Sequence, residues 1–320
     1  MSRHVQYVGR ADRDSVPVVV LESGPGPVVA VTANIHGDEV IGVAAAHALD
    51  EALRAGLGRG TVALYPSLNP RGLASQQRLQ QDGEDLNRLF PGDLGGGPGQ
   101  RQAAQLWANV TERRPTALID LHADSAVSIP YVIVDRATHH RGASRVAMDG
   151  AILAMAEASG VTVLREYPED QYVRYHLDRS LAGAMVNHAS VPAVTLEIGP
   201  RRAVDPRSVR AAVGAVLRIL HHLGVVDDSP PAPPAPQGNW RRAAAPRVHT
   251  PGVFEPVLVP GESFEAGAVL GTVRAIDGTV REVLTAEAAG IVVSWSESGW
   301  VDARAVPGTL GLCEGDPAGV

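Results

Sequence analysis

Between Asp227 and Asn239 the chain reads DDSPPAPPAPQGN, with five prolines in thirteen positions. Proline has no amide hydrogen and a fixed φ, so this stretch builds neither a helix nor a central strand. It is read as an extended, semi-rigid linker over residues 227–242. The linker divides the 320-residue chain into a large first part, 1–226, and a small second part, 243–320.

The two parts carry different patterns. In the first, β-branched apolar runs predict strands at Val16–Leu21, Val28–Ile35, Thr61–Pro66, Thr116–Leu121, Val161–Leu164 and Ala193–Ile198. Helices are predicted from Asp38 or Glu39 to Arg54, and over Gln100–Arg113, Ser144–Ser159, Leu181–His188 and Pro206–Leu223. Residues Ser67–Gly99 read as a long loop region. Such alternation implies an α/β fold, a mostly parallel sheet flanked by helices. The second part holds short runs between Gly- and Pro-containing turns: Val253–Val259, Val269–Val273, Val280–Leu284 and Gly290–Ser294. It is read as a small all-β domain.

Composition removes several functions. The net charge of −7 argues against a nucleic-acid partner. No run of eighteen apolar residues appears, so no membrane span is expected. The polar stretch Met1–Asp14 has no apolar core of a secretory signal, so a cytoplasmic protein is expected. Cys313 is the only cysteine, which excludes an intramolecular disulfide, and it is read as a packing residue. All 28 basic residues are arginine. Without a lysine amine there is no Schiff-base chemistry, no pyridoxal-phosphate enzyme and no Walker phosphate loop.

Four segments carry chemistry. Asn34-Ile35-His36-Gly37-Asp38-Glu39 follows an apolar strand and opens a helix, so His36 and Glu39 can converge on one cation. The blander reading makes Glu39 a carboxylate at a helix N-terminus. Leu118-Ile119-Asp120-Leu121-His122 ends a buried strand in a second histidine, either a hydrogen-bonded core residue or a ligand. Two histidines and one glutamate together match a catalytic zinc set with an open fourth position. Thr195-Leu196-Glu197-Ile198-Gly199-Pro200 interrupts an apolar strand with a carboxylate. Glu197 then serves a water or a base, or is paired with Arg201 or Arg202. Asp85-Leu86-Asn87-Arg88, preceded by Arg78, offers guanidinium forks for a carboxylate.

In this combination the segments resemble the succinylglutamate desuccinylase/aspartoacylase family of the zinc carboxypeptidase superfamily, over nearly the whole chain. The run from Ser180 to Glu197 looks like that of N-acetyl-diamino-acid deacetylases. The resemblance implies one zinc ion on His36, Glu39 and His122, with Asp85 orienting His36. It implies that Arg78 polarises the scissile carbonyl, that Asn87 and Arg88 hold the substrate carboxylate, and that Glu197 is the general base. The superfamily's cleft tyrosine has three candidates here, Tyr167, Tyr172 and Tyr175, of which Tyr175 is chosen. Asp124 either meets a substrate amine or caps a turn. The second part is expected to shape or cover the cleft. The implied activity is removal of a small acyl group from a small-molecule N-acyl amino acid. A carboxypeptidase acting on peptides or cell-wall fragments and a non-catalytic metal-binding scaffold are the alternatives. The sequence leaves open whether the chain forms a homo-oligomer.

Overall fold

The computed structural model describes residues 1–9 and 15–314. Residues 10–14 of the polar N-terminal stretch and residues 315–320 of the expected β domain lie outside the described residues. The first part runs β1 (Ser2–Val8), β2 (Val16–Ser23), β3 (Val28–Ala33), α1 (Val40–Gly56), β4 (Gly60–Tyr65), α2 (Pro70–Ser75) and α3 (Pro98–Glu112). It continues with β5 (Ala117–His122), β6 (Val127–Ser128), β7 (Tyr131–Val134), α4 (Gly142–Ala158), β8 (Thr162–Arg165) and α5 (Glu169–Arg174). It closes with α6 (Leu181–His188), β9 (Ala193–Glu197) and α7 (Pro206–His222). The second part adds β10 (Trp240–Ala244), β11 (Gly252–Pro256), β12 (Ser263–Phe264), β13 (Val269–Arg274) and β14 (Val280–Thr285). β15 (Gly290–Trp295), β16 (Trp300–Val301) and β17 (Gly308–Cys313) complete the chain.

The large sheet has the order β1-β2-β4-β3-β5-β9-β7-β8-β10-β17-β15-β12. Its centre, β4-β3-β5-β9, is parallel, while β1, β2 and β7 join antiparallel. Parallel strands buried on both faces are apolar throughout. In β5 every residue is buried, including Asp120 and His122. α1 buries Ile41, Ala45, Ala46, Leu49 and Leu53 at helical spacing and packs on β3, β5 and α7. The Asp205 side chain accepts from Ser208 N (2.8 Å) and Pro206 takes the first turn, which fixes the start of α7.

The fold adds elements the sequence reading did not mark, β7 and α5 among them, and departs from it in four further places. β1 is an exposed edge strand, so it lacks the apolar run that marks a strand; Arg3 ties it to Asp50 of α1 at 2.9 Å. The expected loop Ser67–Gly99 contains α2 and a 3-10 turn, Leu86–Arg88. The third concerns the second part, of which only β14-β13-β11-β16 form a separate sheet. Its β10 lies parallel beside β8, with Trp240 opposite Leu164 and Arg241 opposite Arg165, so the large sheet continues across the seam. Ile291 and Val293 of β15 share a small core with Tyr131, Ile133 and Leu164. Cys313 is exposed rather than packed. Among the described residues no helix is long and apolar enough to cross a membrane.

Candidate active site

The carboxyl ends of β3, β5 and β9 meet at one edge of the parallel centre, where open α/β sheets collect ligands. His122 and Glu197 end their strands as register partners, and Tyr131, which begins antiparallel β7, is the next partner of Glu197. His36 and Glu39 follow β3 in the turn that enters α1. That turn is held by Asn34, whose backbone is left-handed at φ 55°. Its amide donates to the carbonyls of His36 (2.9 Å) and Gly37 (3.2 Å). Gly37 is required, since a Cβ there would fall 2.0 Å from the backbone of Gly72. Gly199 ends the β9 turn at φ +78°, where a Cβ would lie 2.6 Å from Ser208.

The central cluster is buried and interlocked. Glu39 is 2 % exposed; Oε1 is 2.8 Å from His36 Nδ1 and Oε2 is 3.0 Å from His122 Nδ1. Each histidine turns its other nitrogen to an aspartate: His36 Nε2 to Asp85 Oδ1 at 3.2 Å, and His122 Nε2 to Asp120 Oδ2 at 2.9 Å. Asp120 is itself fixed by Thr32 Oγ1, which donates to Oδ1 at 2.7 Å. One ligand atom from each of His36, Glu39 and His122 lies within 4.8 Å of the other two. The donor set fits zinc: the two Nδ1 atoms converge on the carboxylate, and each Nε2 has a carboxylate acceptor of the kind that orients metal-binding imidazoles.

The electrostatics follow from this packing. Burial alone would raise the Glu39 carboxyl, but His36 and His122 hold it well below the usual range. Burial opposes charge on His122, yet Asp120 and Glu39 raise it well above the ordinary imidazole value. Asp85 is lowered, against its desolvation, by His36, Arg88 and Arg78. Burial pushes Glu197 up to about 7, with Glu39 and Asp124 adding to the shift.

A cavity of about 170 Å³ opens on the cluster. His36, Glu39, His122 and Glu197 line it together with Arg78, whose Nη1 donates to Glu39 Oε1 at 3.3 Å. Ala123, Asp124, Tyr131, Arg201 and Arg242 complete the wall. Tyr131 donates its hydroxyl to Asp124 Oδ2 at 2.8 Å. Arg201 turns Nε to the Ala123 carbonyl (3.3 Å), and its charge is felt by Glu39, Asp124 and Glu197. Arg242 comes from β10. Neighbouring side chains of a strand point to opposite faces, so Arg241 reaches Glu314 (3.4 Å) while Arg242 turns inward. There its Nη1 donates to both oxygens of Glu166 at 3.1 Å, and its guanidinium stacks 5.3 Å over the Tyr167 ring.

Other residues singled out in the sequence fall outside this wall. Asn87 accepts from Leu181 N at Oδ1 (2.8 Å), and Arg88 Nη1 donates to the Asn87 carbonyl (2.6 Å). Arg88 is half-buried, lies within the fields of Asp85, Arg78 and Arg242, and does not line the cavity. Tyr175 is 45 % exposed and packs edge-to-face on Tyr167 at 5.6 Å. Tyr172 is buried, donating to Asp135 at 2.8 Å. Asp120, Tyr131 and Arg242 are the wall and support residues that the sequence reading missed. Asp120 alone had a signal: it lies two residues before His122, on the same face of the strand.

Residues 25–223 match the model of the succinylglutamate desuccinylase/aspartoacylase catalytic domain. A curated relative, the N-alpha-acetyl-L-2,4-diaminobutyric acid deacetylase of Halomonas elongata, is 28% identical over 229 residues. That match covers 69% of this chain and 62% of the relative's length. A succinylglutamate desuccinylase/aspartoacylase structure from Rhodobacter sphaeroides superposes with a TM-score of 0.80 at 23% identity, covering 98% of this chain and 96% of that one. The product-bound ectoine utilization protein EutE (DoeB) from Ruegeria pomeroyi gives a TM-score of 0.79 at 19% identity, covering 98% and 99%. At these identities the structural likeness speaks for the fold.

Proposed function

This chain belongs to the succinylglutamate desuccinylase/aspartoacylase family, and from that premise we propose that it is a zinc-dependent amidohydrolase that removes a small acyl group from an N-acyl amino acid. The observation that carries the reading is the register pairing of His122 with Glu197 beside Glu39 and His36, in a cavity of about 170 Å³. Zinc held by His36, Glu39 and His122 would polarise the amide carbonyl and lower the pKa of a water.

The chain's own groups do the rest. Glu197, raised to about 7, takes a proton from the attacking water and returns it to the departing amine. Arg78 stabilises the negative charge that develops on the carbonyl oxygen. Arg242 on the cavity wall holds the substrate carboxylate; Arg88, outside the wall, adds its positive field, and Asn87 fixes the turn that carries Arg88. Asp124, kept beside the cavity by Tyr131, meets a second amine on the substrate. The relative from Halomonas elongata is named for a diamino acid, which agrees with that assignment.

In this reading residues 1–226 supply the metal ligands and the base, the proline-rich stretch up to Asn239 tethers, and the part from β10 onward brings Arg242 to the cavity and covers the cleft. The enzyme works in the cytoplasm. A cavity of about 170 Å³ is below the ~300–1,000 Å³ of pockets for drug-sized ligands, which favours a small substrate. The test compares an N-acetyl diamino acid with a hexapeptide at equal zinc and pH. Acetate release without peptide cleavage is expected. Faster release from the hexapeptide would replace the deacylase with a carboxypeptidase.

A further inference from the structure

A second trio of side chains repeats the composition of the central cluster on the protein surface. His139 lies in the segment after β7, Asp178 in the 3-10 turn Leu177–Arg179, and His188 at the end of α6. One ligand atom from each lies within 4.8 Å of the other two. The His139 and His188 rings stand 4.8 Å apart at 85°, close to the 5.1 Å and 64° of His36 and His122.

Two further details point to a cation. His139 Nδ1 faces the Asn187 carbonyl at 3.1 Å, and its backbone amide donates to Asn187 Oδ1 at 3.0 Å. A carbonyl only accepts, so Nδ1 carries the ring proton and Nε2 keeps its lone pair. A carbonyl acceptor behind the imidazole is how proteins orient metal-binding histidines. Asp178 Oδ1 is buried with no hydrogen-bond partner. Asp178 itself is half-buried, and an ion held by the two imidazoles would give that covered oxygen a partner.

We infer that His139, Asp178 and His188 form a second, exposed binding site for a late first-row dication, for which zinc is the probe. Two imidazoles and one carboxylate suit zinc, nickel or copper over calcium or magnesium. None of the three lines the catalytic cavity. An ion there would staple the segment after β7 to the 3-10 turn and α6. The same turn supports the Arg88 loop, because Phe90 N donates to the Arg179 carbonyl at 3.1 Å.

The full-length protein, stripped by a chelator and titrated with zinc against a chromogenic indicator, tests the site. Two equivalents per chain are expected, the second about 10- to 100-fold weaker, as for sites with an incomplete set of outer partners. H139A and H188A, both at exposed positions, should each bind one equivalent, tightly, with the deacylase rate unchanged. H122A should lose the tight equivalent and keep the weak one, so failure of the catalytic site and failure of this one read differently. Saturation of the wild type at one equivalent that only H122A abolishes would overturn the inference, as would two equivalents retained in both surface variants.

Discussion

The strand ends of the first part and the single strand β10 of the second serve the same cavity by different routes. On β3, β5 and β9 the chemistry is local: a polar residue closes an apolar run, and the parallel register brings His36, His122 and Glu197 together. On β10 the sequence Trp240-Arg241-Arg242-Ala243-Ala244 carries no such mark. Its Arg242 gains a role only because β10 pairs with β8 and turns alternate residues inward. The side of the cavity made by His36, Glu39, His122 and Glu197 thus comes from strand ends of the first part, and Arg242 reaches it from β10, beyond the proline-rich stretch. The clasp is reinforced beyond β10: Ser125 Oγ donates to the Trp295 carbonyl at 2.7 Å, just after the His122 strand.

Substitutions should separate these halves. The largest effect is expected at Glu197: E197Q keeps its metal, measured by plasma emission, and loses at least ~100-fold in kcat, the usual weight of a general base. Normal turnover would move the base elsewhere. Next comes the cross-linker contact. R242L should lower kcat/KM by about 10- to 100-fold, the worth of a charge-assisted hydrogen bond, mostly through KM, for substrates with a free carboxylate. Unchanged KM would make Arg242 only a strut for Glu166. R88L should act in the same direction more weakly, since Arg88 does not line the cavity. Esterifying the substrate carboxylate in the wild type should reproduce both losses, and equal rates on acid and ester would remove both anchors.

The smallest effect concerns the seam itself. Burial, reinforced by Glu166, raises Asp135 to about 7, while an unfolded aspartate titrates at about 3.9. Below about pH 4 both states are protonated and nothing is lost. As pH rises from there to about 7, the unfolded chain ionises first, so this group's contribution shifts against the fold. D135N keeps an acceptor for Tyr172 and should flatten that part of the Tm-against-pH curve without changing the rate. An unaltered slope would show that Asp135 does not titrate there.

Legibility followed the same divide. The α/β alternation, the ends of α6 and β9, and the central triad were readable because burial on both faces forces apolar runs, against which His122 and Glu197 stand out. β1 was invisible because its faces are wet. Tyr131 and Arg242 were invisible because their positions depend on which distant strands pair, and no local pattern encodes β10 beside β8. The sequence reading weighs Tyr167, Tyr172 and Tyr175, and nothing local marks Tyr131. Only the antiparallel entry of β7 places Tyr131 next to Glu197.

Hydrolysis is proposed to depend on a metal ion held by His36, Glu39 and His122. The direct test is to strip the protein of metal, add zinc stepwise, and follow acetate release from an N-acetyl diamino acid in the wild type and in H122A. The account predicts an inactive stripped protein, activity that rises to a plateau at the first tight equivalent, and no recovery in H122A. Full activity without metal, or recovery of H122A at one equivalent, would contradict it.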